Sequence, residues 1–186
     1  MQFNQNSDLK GLHAFLSGSN YHWTNYTPDK LRKVYLNSKA KEVGTELHEL
    51  AELSIKHRIK MSTAKQAVQL FVNDAIGYRM TPEVVLYYSD KAFGTADAIS
   101  FNNNILRIHD LKTGTNRVSF RQLYVYMALF CLEYDISPYD ISAELRIYQH
   151  NGFEVDIPDP GEIDDIIQKI VEFDAIIDQI DNELHM

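Results

Sequence analysis

Apolar residues recur at helical spacing in several stretches of the chain. Pro28 predicts the start of a short helix that ends near Tyr35, because proline is favoured at the first helical position. Longer helices are predicted over residues 43–58 and 118–134, and a further helix between them has its apolar residues at positions 67–76. Ser62 or Thr63 is the predicted N-cap of this middle helix, because a hydroxyl oxygen accepts hydrogen bonds from the first helical turn.

Five segments rich in β-branched and aromatic residues predict strands. They cover residues 83–89, 93–101, 105–112, 142–149 and 153–157. The Asn-rich turn FNNNI joins the second and third strands, and Asn151-Gly152 joins the last two, because Asn and Gly tolerate the positive φ of tight turns. From residue 43 onward, the order is two helices, three strands, a helix, two strands and a helix. This order predicts an α/β domain with a mixed central sheet flanked by helices.

The C-terminal segment has apolar residues spaced alternately by three and four positions. They are Ile163, Ile166, Ile170, Phe173, Ile177, Ile180 and Leu184. This spacing predicts an amphipathic helix, which either packs on its own domain or pairs with a second copy to form a homo-oligomer. We therefore divide the chain into one α/β domain, residues 1–157, and an acidic C-terminal helix, residues 158–186. Residues 1–42 are expected to form an N-terminal cap segment of the domain.

The net charge of −8 is distributed unevenly along the chain. From Phe153 onward, eleven acidic residues are accompanied by one Lys, whereas residues 1–152 contain 17 basic and 15 acidic residues. The body of the chain is therefore nearly neutral and the tail is strongly acidic. Residues 1–152 could therefore bind a polyanion such as a nucleic acid, although the whole chain is acidic.

The sequence shows no secretory signal, no membrane span and no second cysteine. The start, MQFNQNSDLKGLHAF, has no basic segment followed by an apolar one, and no stretch of the sequence is apolar enough to span a membrane. We therefore expect a cytoplasmic protein without a membrane partner. Cys131 is the single cysteine and lies in the apolar helical run YMALFCLEY, which predicts a buried structural thiol.

The predicted hairpin around FNNNI brings two carboxylates together. If Asn103 and Asn104 are the central residues of the turn, Asp97 lies directly opposite Asp110. Lys112 projects from the same face as Asp110, because side chains alternate along a strand. Two opposed carboxylates repel each other unless a cation lies between them, and a hard divalent ion with oxygen ligands suits this position. The alternative is that both carboxylates are solvated strand ends with Lys112 as a surface counter-ion.

Four short motifs follow one another between residues 44 and 126. They are Gly44-Thr45-Glu46-Leu47-His48, Gly94-Thr95-Ala96-Asp97-Ala98-Ile99, Asp110-Leu111-Lys112-Thr113-Gly114 and Gln122-Leu123-Tyr124-Val125-Tyr126. In this order they resemble the helix, core hairpin and QxxxY motif of the RecB-type branch of the PD-(D/E)XK nucleases. Ala96 stands where the class name has Pro. The cysteines that hold an iron–sulfur cluster in some relatives are absent, which argues against those subgroups.

The resemblance implies a restriction-endonuclease-like core that hydrolyses DNA phosphodiesters with one or two Mg²⁺ or Mn²⁺ ions. Asp97, Asp110 and Lys112 are the catalytic residues that it implies. His48, Asp97, Asp110 and the carbonyl of Leu111 are the implied metal ligands. Gln122 and Tyr126 share a helix face and are expected to contact the DNA backbone or to support the site.

Three residues have more ordinary alternatives. A histidine at the edge of an apolar helix face, such as His48, is often a packed core histidine, although the two carboxylates favour a ligand. Tyr126 is alternatively a core aromatic whose hydroxyl is hydrogen-bonded within the protein. Glu83 begins the first strand, where related nucleases often have an acidic residue, and is assigned only an outer role.

Small stand-alone members of this branch, many of them from phages, are similar to recombination exonucleases. We therefore predict an exonuclease that acts on DNA ends in recombination, repair or phage DNA metabolism, in a bacterium or a phage-infected cell. An endonuclease of the same fold and a non-catalytic DNA-binding or regulatory protein are the alternatives. DNA is the expected partner. The chain lacks the nucleotide-binding motif GxxxxGK[ST], so a helicase or recombination partner is expected on a separate chain.

The N-terminal segment combines the aromatic residues Tyr21, Trp23 and Tyr26 with nearby cations. These rings either stack on the bases of a single strand or close a small core, and we favour the core because large aromatics are usually well buried. Lys30, Arg32 and Lys33 are the nearest cations for phosphate groups.

Overall fold

A five-stranded sheet is the centre of the structure, a computed structural model that describes residues 14–62, 66–115 and 118–184. The helices are α1 (Pro28–Lys56), α2 (Ala67–Gly77), α3 (Arg121–Tyr134) and α4 (Pro160–Leu184). The strands are β1 (Thr81–Ser89), β2 (Ala92–Asn102), β3 (Ile105–Lys112), β4 (Ser142–Gln149) and β5 (Gly152–Asp156). Short 3-10 turns cover Tyr21–Asn25 and Pro138–Asp140. From residue 43 onward, the order of helices and strands is the predicted one.

The sheet is mixed, as predicted, because one of its four strand pairs is parallel. The strands lie in the order β1-β2-β3-β4-β5, and β3 pairs with β4 in parallel while the other neighbours are antiparallel. Parallel neighbours need a long crossover, and α3 is that crossover between β3 and β4. The α/β class with helices flanking a mixed sheet is thereby confirmed, including the C-terminal helix.

Two predicted helix boundaries are wrong. The separate helices expected over residues 28–35 and 43–58 are one continuous helix, α1. Residues 36–42 contain neither Gly nor Pro, and Lys39 and Glu42 form an ion pair at 2.7 Å on the helix surface, so nothing interrupts the helix there. Helix α2 begins at Ala67, so Ser62 is not its cap, and Thr63 lies outside the described residues. The backbone N–H of Gln66 instead donates to Oε1 of Gln69 at 3.3 Å.

The chain divides into two units, Met1–Val43 and Gly44–Met186, which we call unit 1 and unit 2. In unit 1, the rings of Phe15 and Tyr35 meet edge to face with centroids 5.1 Å apart. The indole Nε1 of Trp23 donates to the carbonyl of Ser17 at 3.0 Å. None of the residues Tyr21–Asn25 is buried, and Tyr21 is 61% exposed. The expectation that the N-terminal aromatics close a core is therefore wrong for Tyr21.

Unit 2 buries apolar residues on both faces of the sheet. Side chains of α3 and Ile163 of α4 pack with Ile99, Ile108 and Leu145. Side chains of α1 and α2 pack with Ala98, Leu111 and other residues in a second cluster. Ala98 and Ile99 are consecutive, so their membership of different clusters follows from the alternation of side chains along a strand. Cys131 is buried in the first cluster, as predicted, and burial raises its pKa to about 11.

Helix α4 differs between its two halves. Ile163 is fully buried, and Ile166, Ile167 and Ile170 pack against the core formed with α3. Beyond this point the apolar residues are largely exposed, including Ile180 at 48%. The first half of α4 therefore packs on its own domain, and pairing of the exposed half with a second copy stays a prediction. Among the described residues, no helix combines the length and apolar composition needed to cross a bilayer.

Truncating Ile163 is expected to destabilise the protein by about 2–4 kcal/mol, because Ile163→Ala leaves a cavity between α4 and α3. Ile180→Ala is the matched control in the exposed half of α4 and is expected to change the free energy of unfolding by less than about 0.5 kcal/mol. Urea unfolding followed by circular dichroism measures both values. Equal destabilisation by the two substitutions would contradict the proposed difference between the halves of the helix.

Candidate metal centre

The hydrogen-bonded ladder of the sheet is interrupted at Asp97. On one side of β2, the pairs Pro82 with Ala98 and Val84 with Ala96 are present, which leaves Glu83 opposite Asp97 without a ladder pair. On the other side, the ladder between β2 and β3 ends at the pair of Ala98 with His109. The same register, continued by one residue, puts Asp110 opposite Asp97. Glu83, Asp97 and Asp110 therefore occupy one row across three neighbouring strands, and we call them the carboxylate row.

The predicted hairpin register is correct, but its last pair is not formed. Ile99 pairs with Ile108 and Phe101 pairs with Leu106, as expected from a turn centred on two asparagines. The predicted pair of Asp97 with Asp110 lies just beyond the end of the ladder. The reason is local: Oδ2 of Asp97 accepts a hydrogen bond from the backbone N–H of Leu111 at 2.8 Å, so this side chain takes up a main-chain donor of β3.

Strand alternation is also broken at this point. Ala96 and Ile99 both pack in the cluster with α3, although residues three apart normally lie on opposite faces of a strand. Glu83, on the neighbouring strand, has φ of 50°, a left-handed conformation that costs free energy for a residue with a Cβ. Irregularities of this kind redirect side chains within a sheet. Here the irregularity releases Glu83 and Asp97 from the ladder.

Helix α1 brings a histidine to the released carboxylates. Nδ1 of His48 lies 3.6 Å from Oδ2 of Asp97. One ligand atom each from His48, Glu83 and Asp97 lies within 4.8 Å of the others, a spacing that one metal ion can bridge. Glu52 follows His48 by one helical turn, and the pKa of Glu83 is raised by burial and by the negative charge of Glu52. The cluster therefore concentrates negative charge around a single imidazole.

A glycine permits the close approach of α1 to the end of β3. A Cβ on Gly44 would lie 2.6 Å from Oγ1 of Thr113, closer than real contacts allow. Thr113 directly follows Lys112, and Gly44 precedes His48 by one turn of α1. The absence of a side chain at residue 44 thus sets where His48 lies along the sheet. This is a packing reason for the glycine in the segment Gly44–His48.

Asp110 is buried beside Lys112. The residue is 1% exposed, and burial together with the negative charge of Asp97 raises its pKa to about 6. Nζ of Lys112 lies 3.0 Å from both carboxylate oxygens, but only the contact with Oδ1 is a hydrogen bond. Oδ2 is buried and has no hydrogen-bond partner among the described residues. The ammonium group of Lys112 offsets part of the charge of this oxygen without a hydrogen bond, and a further cation would satisfy it.

Helix α3 orients Lys112. Nζ of Lys112 donates to Oε1 of Gln122 at 2.8 Å, and Nε2 of Gln122 donates to the hydroxyl of Tyr126 at 2.7 Å. The ring of Tyr126 lies against the backbone of Gly94, where an added Cβ would be 2.8 Å from the ring. The three polar groups form one chain from the helix to the ammonium group. Tyr126 also packs against the core, so its ring and its hydrogen-bonded hydroxyl match the alternative of a core aromatic. Its role at the site stays a prediction.

The predicted site residues thus fall into two groups. His48 and Asp97 lie together with Glu83, and Asp110, Lys112, Gln122 and Tyr126 form a connected set beside them. Leu111 contributes its N–H to Asp97, and its carbonyl stays a predicted ligand. Glu83 received only an outer role from the sequence, and Glu52 received none. The pairing of β1 with β2 was not predicted from the sequence; its register would have placed Glu83 opposite Asp97.

The available donor atoms fit a hard divalent cation. Carboxylate oxygens from three strands and one imidazole nitrogen suit Mg²⁺ or Mn²⁺, and imidazole also accepts softer first-row ions. The unsatisfied Oδ2 of Asp110 supports a cation at the carboxylate row. In comparisons with known proteins, no family model, no curated protein and no solved structure matches the chain.

Replacing Asp110 by Asn is expected to stabilise the metal-free protein at neutral pH. The carboxyl pKa rises from 3.8 to about 6 in the folded state. Below about pH 4 the carboxyl group is protonated in both the folded and the unfolded state, so it does not lower the free energy of unfolding. Above about pH 6 it is ionised in both, and the folded state bears the cost of the buried charge, up to about 3 kcal/mol.

The stability of the wild type should therefore fall, relative to Asp110→Asn, as pH rises from about 4 to about 6. Urea unfolding of both proteins in EDTA at each pH measures the difference, with Glu172→Gln on the exposed surface of α4 as the control. A difference between Asp110→Asn and the wild type that is independent of pH would refute this account of the buried carboxylate.

Proposed function

We propose that the protein is a metal-dependent DNA nuclease of the PD-(D/E)XK class, in its RecB-type branch. The observation that supports the proposal most directly is the carboxylate row, with His48 at one end and Lys112 held beside Asp110 at the other. Repelling carboxylates that are partly withdrawn from solvent are costly in a structural hairpin. Such carboxylates are useful where a divalent cation has to be bound next to a phosphate group. We further propose that the mixed sheet and its helices form a restriction-endonuclease-like core.

Asp97, Asp110 and His48 would hold one or two Mg²⁺ or Mn²⁺ ions, with the carbonyl of Leu111. Glu83 joins this set in the proposal, because its carboxylate lies within reach of the same position as His48 and Asp97. A bound ion would polarise the phosphodiester and lower the pKa of an attacking water. Asp97 is held for this purpose by the N–H of Leu111, which fixes one of its oxygens.

Lys112 is the proposed residue that orients the nucleophile and offsets negative charge developing on the phosphate. Its ammonium group has three donor hydrogens, of which Asp110 and Gln122 take one each. Among the described residues no further group accepts a hydrogen bond from this ammonium, which leaves the third hydrogen for a substrate oxygen or for water. Gln122 and Tyr126 act as positioning residues in this proposal, because they determine the direction of the Lys112 side chain without contacting the reacting atoms.

Asp110→Ala and Lys112→Ala are expected to abolish Mg²⁺-dependent cleavage of DNA, by about a hundredfold or more in rate, since each removes a group that acts on the charge of the transition state. Cleavage of a labelled linear duplex and of a single strand measures the rate. Glu172→Ala and Lys60→Ala are matched controls for loss of an acidic and a basic residue on the surface. Both should cleave as the wild type does.

Thermal unfolding of each variant in EDTA tests whether the fold is retained. Undiminished cleavage by purified, folded Asp110→Ala and Lys112→Ala would disprove the assignment. DNA binding by the wild type without cleavage, in either Mg²⁺ or Mn²⁺, would favour a non-catalytic DNA-binding protein.

Within this class we propose an exonuclease that acts on DNA ends in recombination, repair or phage DNA metabolism. The expected result is rapid degradation of linear DNA in Mg²⁺ and no cleavage of a covalently closed circle of the same sequence. Gel analysis of the two substrates over time provides the measurement, and linearising the circle with a restriction enzyme should restore degradation. Cleavage of the closed circle at a comparable rate would identify an endonuclease instead.

A further inference from the structure

The positive charge of the chain is concentrated in unit 1. Residues 1–43 contain six basic and three acidic residues, a net charge of +3. Residues 44–186 contain 12 basic and 23 acidic residues, a net charge of −11. A polyanion approaching the protein is therefore attracted by unit 1 and, away from a bound metal ion, repelled by the net charge of unit 2.

Three lysines of unit 1 form a stripe along α1. Lys30, Lys33 and Lys41 fall within an arc of about 80° around the helix axis and extend over about 16 Å. All three are exposed. The apolar residues Leu31, Tyr35 and Leu36 face other directions and line a cleft with Phe15 and Leu16. The lysine stripe is therefore separate from the apolar side of the helix.

Two tyrosines of unit 1 accompany these cations, Tyr26 half-buried and Tyr21 exposed. Nζ of Lys30 lies 4.7 Å from the ring centroid of Tyr26. The ring of Tyr21 is stacked on that of His22, with centroids 4.7 Å apart, and Tyr21 is 61% exposed. Rings that close no core, next to a row of cations, are the combination with which proteins bind unpaired bases and the backbone between them.

We propose that unit 1 binds single-stranded nucleic acid, with Lys30 and Lys33 contacting phosphates and the rings of Tyr21 and Tyr26 stacking on bases. The aromatic rings favour a single strand over a duplex, because paired bases do not offer their faces. They also favour it over an acidic protein surface, which would use the cations alone. The role of the bound strand as substrate rests on the proposed nuclease function, whereas the binding itself requires no metal.

Trp23, the single tryptophan of the chain, lies in unit 1 and makes the binding directly observable. Titration of the full chain in EDTA with an oligothymidylate of about 20 nucleotides is expected to quench its emission. Lys30→Gln/Lys33→Gln should reduce the slope of log affinity against log salt by about 1.4 and weaken binding roughly tenfold at low salt. Lys60→Gln/Lys169→Gln loses the same charge in unit 2 and should bind as the wild type does.

Stacking is tested by a second pair of variants. Tyr21→Ala is expected to weaken binding by about fivefold or more. Tyr139→Ala removes an equally exposed tyrosine from unit 2, where the ring is 64% exposed, and should have no effect.

Identical affinity for the two lysine double variants would overturn the proposal, as would tighter binding of a duplex than of the single strand. A change in Trp23 emission with protein concentration alone, accompanied by a doubled molecular mass, would also overturn it and identify a second copy as the occupant. Oligonucleotide binding that follows these expectations in a protein without nuclease activity would refute the proposed function and leave this inference standing. Cleavage of DNA by a protein whose unit 1 does not bind the oligonucleotide would refute this inference and leave the proposed function standing.

Discussion

The burial of carboxylates at the interruption of the ladder is the constraint on which the rest of unit 2 depends. Asp97 and Asp110 are withdrawn from solvent, and the pKa of each carboxyl is raised chiefly by burial. Each nearby element offsets part of this cost: β3 donates the Leu111 N–H, α1 presents His48, and α3 orients Lys112 through Gln122. The offset is incomplete, since one buried oxygen of Asp110 has no hydrogen-bond partner among the described residues. A fold that retains such a deficit is suited to a cation.

The opposite face of β3 shows how the same sheet treats polar groups that need no ligand. His109 follows the alternation to the α2 side, where Nδ1 lies 3.3 Å from the hydroxyl of Tyr148. That hydroxyl donates to Asp74 at 2.8 Å, and Arg146 donates to Asp74 at 3.0 Å. Burial and two nearby arginines lower the pKa of His109 to about 3, so its ring is neutral at physiological pH. On this face Asp74 and Arg146 are paired with each other, although Nε2 of His109 has no hydrogen-bond partner among the described residues. At the carboxylate row, Asp97 and Asp110 lie beside one imidazole and one ammonium group.

Much of the fold followed from periodicity because most elements obey local rules. The hairpin register could be predicted from its asparagine turn, and β3 and β4 begin and end where alternation predicts. The continuity of α1 could not be predicted, because residues 36–42 carry no continuous apolar stripe that marks them as helical. The position of Glu83 beside Asp97 could not be predicted either, since it depends on the pairing of β1 with β2 and on a left-handed φ that no propensity predicts for glutamate.

Part of the acidic charge of α4 is paired within the protein, at a distance from the carboxylate row. Asp174 contacts Ser89, and Asp178 and Asp181 contact Lys91, so the exposed half of α4 is tied to the turn between β1 and β2. That turn lies about 20 Å from Asp97 along β2, given the rise of an extended strand. Charges are screened within about 8–10 Å at physiological ionic strength. The field at the carboxylate row is therefore set mainly by nearby groups, namely the row itself, Glu52, His48 and Lys112.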